Sequence, residues 1–210
     1  LPTLIAPKAP AQFQVDTRWR DVDLTIRPGN LPVLGINGEF AYSTAEGFSS
    51  SGLEGALWGK SLAAEVTQTP VKKGSAAGPV QVSIATRARM SDLRAWLDLE
   101  FPALAEGETP VAIEVVVAPG EAPLLNVMST LQGVSLDLPA PWRKSAAAKR
   151  RFSLTSPLAG EGNKLNLELE GGLELYLHMI ERELAAGSLG INEEAVEPQP
   201  GVFRVGGHAS

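Results

Sequence analysis

Apolar and polar residues alternate with a period of two from one end of this 210-residue chain to the other, and nothing else in it narrows the fold as much. Phe13, Val15, Thr17 and Trp19 alternate on odd numbers, then Val22, Leu24 and Ile26 on even ones. That slip at Arg20-Asp21 requires a bulge or a turn. Arg27-Pro28-Gly29-Asn30 reads as the turn that closes the segment. Further runs are Ile36, Phe40 and Tyr42; Leu62, Ala64 and Val66; Val80, Val82 and Ile84; and Val111, Ile113, Val115 and Val117. With 21 Gly and 16 Pro as punctuation, the pattern predicts many short strands rather than a helix bundle.

Register arithmetic settles one hairpin. Leu165, Leu167 and Leu169 precede Gly171-Gly172, and Leu173, Leu175 and Leu177 follow. A two-residue loop would set Leu169 against Glu174. A three-residue loop, Glu170-Gly171-Gly172, sets Leu169 against Leu173 and keeps every leucine on one face, with a glycine for the left-handed position. Only two stretches read as helix. Ser91 is placed to cap Asp92–Leu97, with Leu93, Trp96 and Leu97 on one face, continuing weakly through Phe101 until Pro102. His178–Ala186 is a second helix capped by Gly187, or equally a strand running into a turn. Loops are expected at Thr69–Pro79, Ala118–Pro123 and Pro139–Lys149. The chain reads as one unit over 1–210, with a subdivision near 87–107 at the helical connection. No regular repeat period emerges.

Chemistry is scarce. Without cysteine there is no disulfide scaffold, no thiolate metal site and no thiol nucleophile. The two histidines are His178, on the strand face opposite Leu177, and His208, near the end of the chain. Neither sits beside a nucleophile motif, and no nucleophile elbow, Walker loop or dinucleotide fingerprint is present. Asp16, Asp21, Asp23, Asp92 and Asp98 lack the spacing of a calcium loop. Glu168, Glu170 and Glu174 alternate with leucines, as the wet face of a sheet does. The reading is therefore no enzyme, no metal and no cofactor. A net charge of −6 argues against nucleic acid as partner, and no apolar run reaches the about 20 residues of a spanning helix.

One basic patch, Arg143, Lys144, Lys149, Arg150 and Arg151, offers contacts to a lipid headgroup or another anion, or else merely keeps a loop soluble. Trp19, Trp58, Trp96 and Trp142 are scattered without the spacing of a stacking platform. The apolar faces are aliphatic. With so few helices to cover them, two sheets pack into a closed sandwich, or one long sheet curls into an open trough. Alternation alone fits both.

The stretch Leu131-Gln132-Gly133-Val134-Ser135-Leu136-Asp137-Leu138-Pro139-Ala140-Pro141, followed by Trp142-Arg143-Lys144, resembles the "L-x-G-v-x-l-D-L-P-A-P-x-x-K" signature of the YhdP branch of AsmA-like proteins. Thr17–Gly29 is similar to that branch's "W-x-d-v-x-l" strand and turn. Leu31–Gly59 is similar to its "l-x-G-x-l … g-l … a-x-l-W-G" unit, through Gly38, Phe40, Gly47, Leu57, Trp58 and Gly59, and Gly187-Ser188-Leu189-Gly190 to its "G-x-l-G" step. The basic, alanine-rich Ser145–Arg151 departs from the more acidic or neutral linker expected there.

The resemblance implies a mainly β fold: a long, strongly curved antiparallel sheet forming an open, taco-like groove with one or two short helices. It implies an internal segment of a much longer periplasmic bridge, anchored in the inner membrane outside this chain and carrying phospholipid towards the outer membrane. Phospholipid acyl chains and neighbouring segments of the same chain are then the partners, and free sheet edges make an edge-to-edge dimer of the isolated segment a further expectation. The lining expected on this reading is Val80, Val82, Ile84, Val111, Ile113, Val115, Leu125, Val127, Leu136, Leu165, Leu167, Leu173 and Leu175. The competing readings are a sandwich that binds glycan or protein through Trp58 or Trp142, and a rigid spacer without cargo.

Overall fold

In the computed structural model, residues 12–26, 31–69, 78–97, 104–158, 162–181 and 183–208 are described. They form one 13-stranded sheet that is not closed, with a single α-helix. The strands are β1 (Gln14–Ile26), β2 (Leu31–Ser43), β3 (Gly47–Leu57), β4 (Lys60–Gln68), β5 (Val80–Arg89), β6 (Ala105–Val117), β7 (Leu124–Ser129), β8 (Val134–Leu136), β9 (Phe152–Pro157), β10 (Asn163–Leu169), β11 (Leu173–Ile180), β12 (Glu183–Ile191) and β13 (Phe203–Gly207). Strand order follows the chain, except that β8 leaves the path and pairs with the start of β6, so β7 pairs directly with β9.

The slip at Arg20-Asp21 is a bulge: the pairing of β1 with β2 shifts on either side of Val22, and Asp21 takes φ 53°. The β2–β3 and β3–β4 ladders shift as well, around Asn37 and between Ser49 and Leu53. Each bulge bends and twists its strand, and most of the register shifts fall in the first four strands, with one more between β11 and β12 at His178. The Arg27–Asn30 turn lies outside the described residues, as does most of the Thr69–Pro79 loop. The β3–β4 hairpin turns on Trp58-Gly59, both at positive φ, as a two-residue loop requires. The β10–β11 hairpin has the three-residue loop, with Leu169 opposite Leu173, Leu167 opposite Leu175 and Leu165 opposite Leu177.

Two expectations change, and one alternative is decided. Helix α1 spans Met90–Leu97, so Ser91 lies inside its first turn and does not cap it; the side chains of Trp96 and Leu97, and Phe101-Pro102, lie outside what is described. Of the two readings of His178–Ala186, the strand running into a turn is the one found: β11 continues to Ile180 and β12 begins at Glu183. The leucine alternation of β11 persists past His178, and the β12 ladder supplies the backbone partners. The sheet is also not wholly antiparallel, since β12 and β13 run parallel. Their connection crosses the outer face of β11 and β12, where Ser188 Oγ donates to Val196 O (2.6 Å), Ala195 N to Glu174 Oε2 (3.0 Å), and Lys164 pairs with Glu197. Ala186, Ser188 and Gly190 are buried beneath it, and a side chain at Gly190 would strike the backbone of Glu193.

Candidate apolar face and its flap

Cross-strand partners in a sheet point to the same face, so the registers can be read as rows across the strands. The central row runs Ala64, Ile84, Ile113, Val127, Leu154, Leu167, Leu175, Leu189 and Val205, from β4 to β13 without a polar residue. On one side lie Val66, Val82, Val115 and Leu125, with Leu165 and Leu177 further along. On the other lie Val111, Ser129, Phe152, Leu169, Leu173 and Ile191. Val80 shares the face at the start of β5. Every strand-borne residue of the expected lining except Leu136 therefore belongs to one continuous face. The opposite face carries Gln81, Ser83, Glu114, Asn126, Thr155, Asn166, Glu168, Glu174 and Tyr176.

Burial divides that face into two regions. From β5 to β11 the expected lining residues are only half-buried. In β2–β4 the interior is full: Val33, Ile36, Leu53, Leu57 and Leu62 pack together, Leu57 at 1% exposure, with Trp19, Val22 and Trp58 against them. Beside this core Trp19 stacks on Phe40 (5.6 Å between centroids), Phe40 meets Phe48, and Phe48 meets Tyr42 (4.7 Å). The aromatic run was invisible in the sequence because β1, β2 and β3 each contribute only part of it.

Leu136 belongs to neither region. It lies in a second buried cluster with Leu131 and Val134, the last at 0% exposure, packed on Met90, Ala105, Leu138, Phe152 and Leu169. Phe152 and Leu169 sit on the apolar face, so the chain between β7 and β9 folds over that face as a flap along one lip of the sheet. Gly133 makes the close approach of β8 to β6 feasible. It holds φ 98°, and a Cβ there would strike the carbonyl of Glu108; one at Gly107 would strike Gly133 itself. Trp142 Nε1 donates to Gly171 O (3.0 Å) and Arg150 Nη2 to Pro141 O (2.9 Å), which tie the flap to the β10–β11 turn and to itself.

The basic patch separates accordingly. Lys144 is 7% exposed, and its ammonium donates to the carbonyls of Leu131, Val134 and Ser145. Burial, then the nearby Arg150 charge, pulls its pKa below the usual lysine value. It is the internal peg of the flap, turned away from any headgroup. Arg143, Lys149 and Arg151 stay exposed, with Arg143 paired to Asp137 at 3.2 Å.

A different charge cluster, unremarked in the sequence, forms at the lip. Glu108 of β6 pairs with Lys60 of β4 and with Arg87 Nε (2.6 Å) and Arg89 Nε (3.2 Å) of β5. Hydrogen bonds from Lys60 and then Arg87 draw its pKa down to about 2. On the outer face, burial and Glu197 push Tyr176 up to about 12. Among the described residues, no group of three or more His, Asp or Glu is placed to hold a metal ion, and His208 meets Glu193 at 3.5 Å.

A family model described as YhdP protein matches residues 5–206 of this sequence. Neither a curated protein nor a solved structure matches it.

Proposed function

This chain belongs to the YhdP family, and from that premise we propose that it is a non-enzymatic segment of a periplasmic bridge, anchored in the inner membrane through a part outside this chain, that shields phospholipid acyl chains on their way between the inner and outer membranes. The observation that supports this most is the uninterrupted aliphatic row from Ile84 to Leu189, left half-exposed on an open sheet. At about 4.8 Å per strand it spans about 29 Å, against a bilayer hydrocarbon core of about 30 Å that holds two chains end to end, so an acyl chain fits lengthwise with room to spare. Each methylene covered is worth about 0.8 kcal/mol, and hydrocarbon asks for no hydrogen bond, so an even lining holds lipid without fixing it at one place.

A closed sandwich of this many strands would bury its inner face. The buried apolar residues here instead gather in the first strands and under the flap, which favours the trough over the glycan- or protein-binding sandwich. The test places a charge in the middle of the central row, Ile113→Asp. Organic extracts of the purified wild-type chain are expected to contain phospholipid by mass spectrometry, and those of I113D to lose most of it while expression holds. Phospholipid at the wild-type level in I113D would remove the central row from the path. A chain that carries no lipid in either form would leave only the spacer.

A further inference from the structure

At the lip of the sheet, next to where β8 pairs with β6, three cations converge on one carboxylate. Lys60 lies on β4 and Glu108 on β6, so their ion pair spans β5, the strand that supplies Arg87 and Arg89. Each arginine spends its Nε on a different oxygen of Glu108. That fixes the two guanidinium groups side by side. Among the described residues, their terminal NH2 groups meet no acceptor of the chain, and both side chains are at least half exposed. Beside them a cavity of about 380 Å³ is lined by Arg89, Ser91, Arg94, Glu106 and Glu108. Lys60, Arg87, Arg89 and Arg94 against Glu106 and Glu108 leave a local charge of +2, in a chain whose total is −6.

We propose that Arg87 and Arg89, held in place by Glu108 and backed by Lys60, form a binding site for a phosphate group at the end of β5, on the polar face of the sheet, where Lys60 reaches round from the apolar side. One carboxylate cannot neutralise three cations, and like charges this close repel unless a second anion offsets them. Two guanidinium forks already fixed in place supply more donors than a planar carboxylate can accept, and they match the several oxygens of a phosphate. Because the forks are immobilised before the ligand arrives, little side-chain entropy is lost on binding. With its pKa drawn down to about 2 by Lys60 and Arg87, Glu108 stays charged at neutral pH and holds both arginines there. The phosphate is either free or the headgroup of a lipid that reaches round the end of the strands from chains on the apolar face; the second source rests on the function proposed above.

The test titrates the purified chain, at fixed ionic strength, with inorganic phosphate and separately with a short-chain phosphatidylglycerol below its micelle concentration. The double variant R87Q/R89Q is expected to weaken both by about tenfold or more, and Arg89→Lys, which keeps the charge but loses the fork, by less. Wild-type affinity in R87Q/R89Q overturns the site. So does an equal loss in R18Q, which removes an exposed arginine paired to Glu39 far from the lip, because the effect would then be diffuse charge. The Ile113→Asp variant separates the sources. Weaker phospholipid binding with phosphate binding intact identifies a headgroup. Identical affinities of the wild type for the two ligands identify free phosphate, keep the site, and count against the lipid reading alone. A double variant that no longer folds is replaced by R89Q, expected to lose affinity for both ligands in the same sense.

Discussion

The first four strands and the stretch from β5 to β12 share the same alternation, yet one region fills its own interior and the other leaves its apolar face half-covered. The difference lies in the backbone rather than in composition. Bulges in β1–β3 fold those strands sharply, with Asp21 at φ 53° and the pairing slipping around Asn37 and Leu53. Val33 and Ile36 thereby point to the same core although their spacing is not even, and bulky Trp19, Trp58 and Phe40 occupy what a smoother sheet would leave open. From β5 to β7 and from β9 to β11 the ladders run without a slip. A regular sheet of Val, Leu and Ile has neither the curvature nor the side-chain bulk to close on itself. A hydrocarbon path through this chain would thus be widest after β4 and crowded before it.

The largest contrast is expected from truncation. Leu57→Ala, in the filled region, should cost about 2–5 kcal/mol in denaturant unfolding, because the cavity it opens cannot collapse. Ile113→Ala, on the half-exposed face, should cost markedly less, about 1–2 kcal/mol, since much of its surface is never removed from water. Equal losses at the two sites would dissolve the distinction between a packed end and an open one.

The flap should respond next. Lys144→Met keeps the length of the side chain but strips its ammonium from the carbonyls of Leu131, Val134 and Ser145, at a cost of about 1–3 kcal/mol. If the flap is a separate layer over the apolar face, the loss of hydrogen-exchange protection will be confined to 131–150 and to the strand ends beneath it, and β1–β4 will keep theirs. Loss spread evenly over both regions would show that the flap is part of one common core. A smaller effect is expected from an apolar-surface dye. It should bind the wild type through the β5–β11 face, and I113D should lose about half or more of that signal, whereas Phe40→Ser should change it little, because Phe40 lies in the crowded end.

Much of this was legible in the sequence, for one physical reason: side-chain period in a strand is fixed at two, so a residue's parity gives its face wherever the ladder does not slip. The leucine hairpin at Glu170–Gly172 followed from parity alone, and so did the shared face of Val80–Ile84, Val111–Val115 and Leu125–Val127. What parity cannot supply is what lies on top. Leu136 alternates as a lining residue should, yet it is buried in a flap that doubles back, an event set by Gly133 and Gly107 across 26 residues. Charge proximity along the chain misled in the same way. Lys144 stood in the most obvious basic run and turned inward, whereas Lys60, Arg87 and Arg89 gather only because β4, β5 and β6 are neighbours.

The weakest effect separates the lip from both regions by its dependence on pH. The folded pKa of Glu108 is depressed from 4.5 to about 2, chiefly by Lys60 and Arg87, so the native state binds its proton less readily than the unfolded chain. The stability it contributes is complete above about pH 4.5 and drains away as pH falls towards 2. Glu108→Gln should therefore flatten that part of the acid limb and lower stability at neutral pH by the same small amount, since the arginines paired with Glu108 are at least half exposed and solvent screens the pairs. Lys144 acts in the same direction but in the alkaline range. Its folded pKa lies below 10.5, so the unfolded chain holds the proton more tightly, and stability rises with pH between the two values. Lys144→Met should remove that alkaline rise and leave the acid limb untouched, while E108Q does the reverse. If either substitution altered both limbs, the flap's peg and the lip's clamp would be one coupled network, even though Gly107 and Gly133 bring their backbones into contact without any ion pair between Lys144 and Glu108.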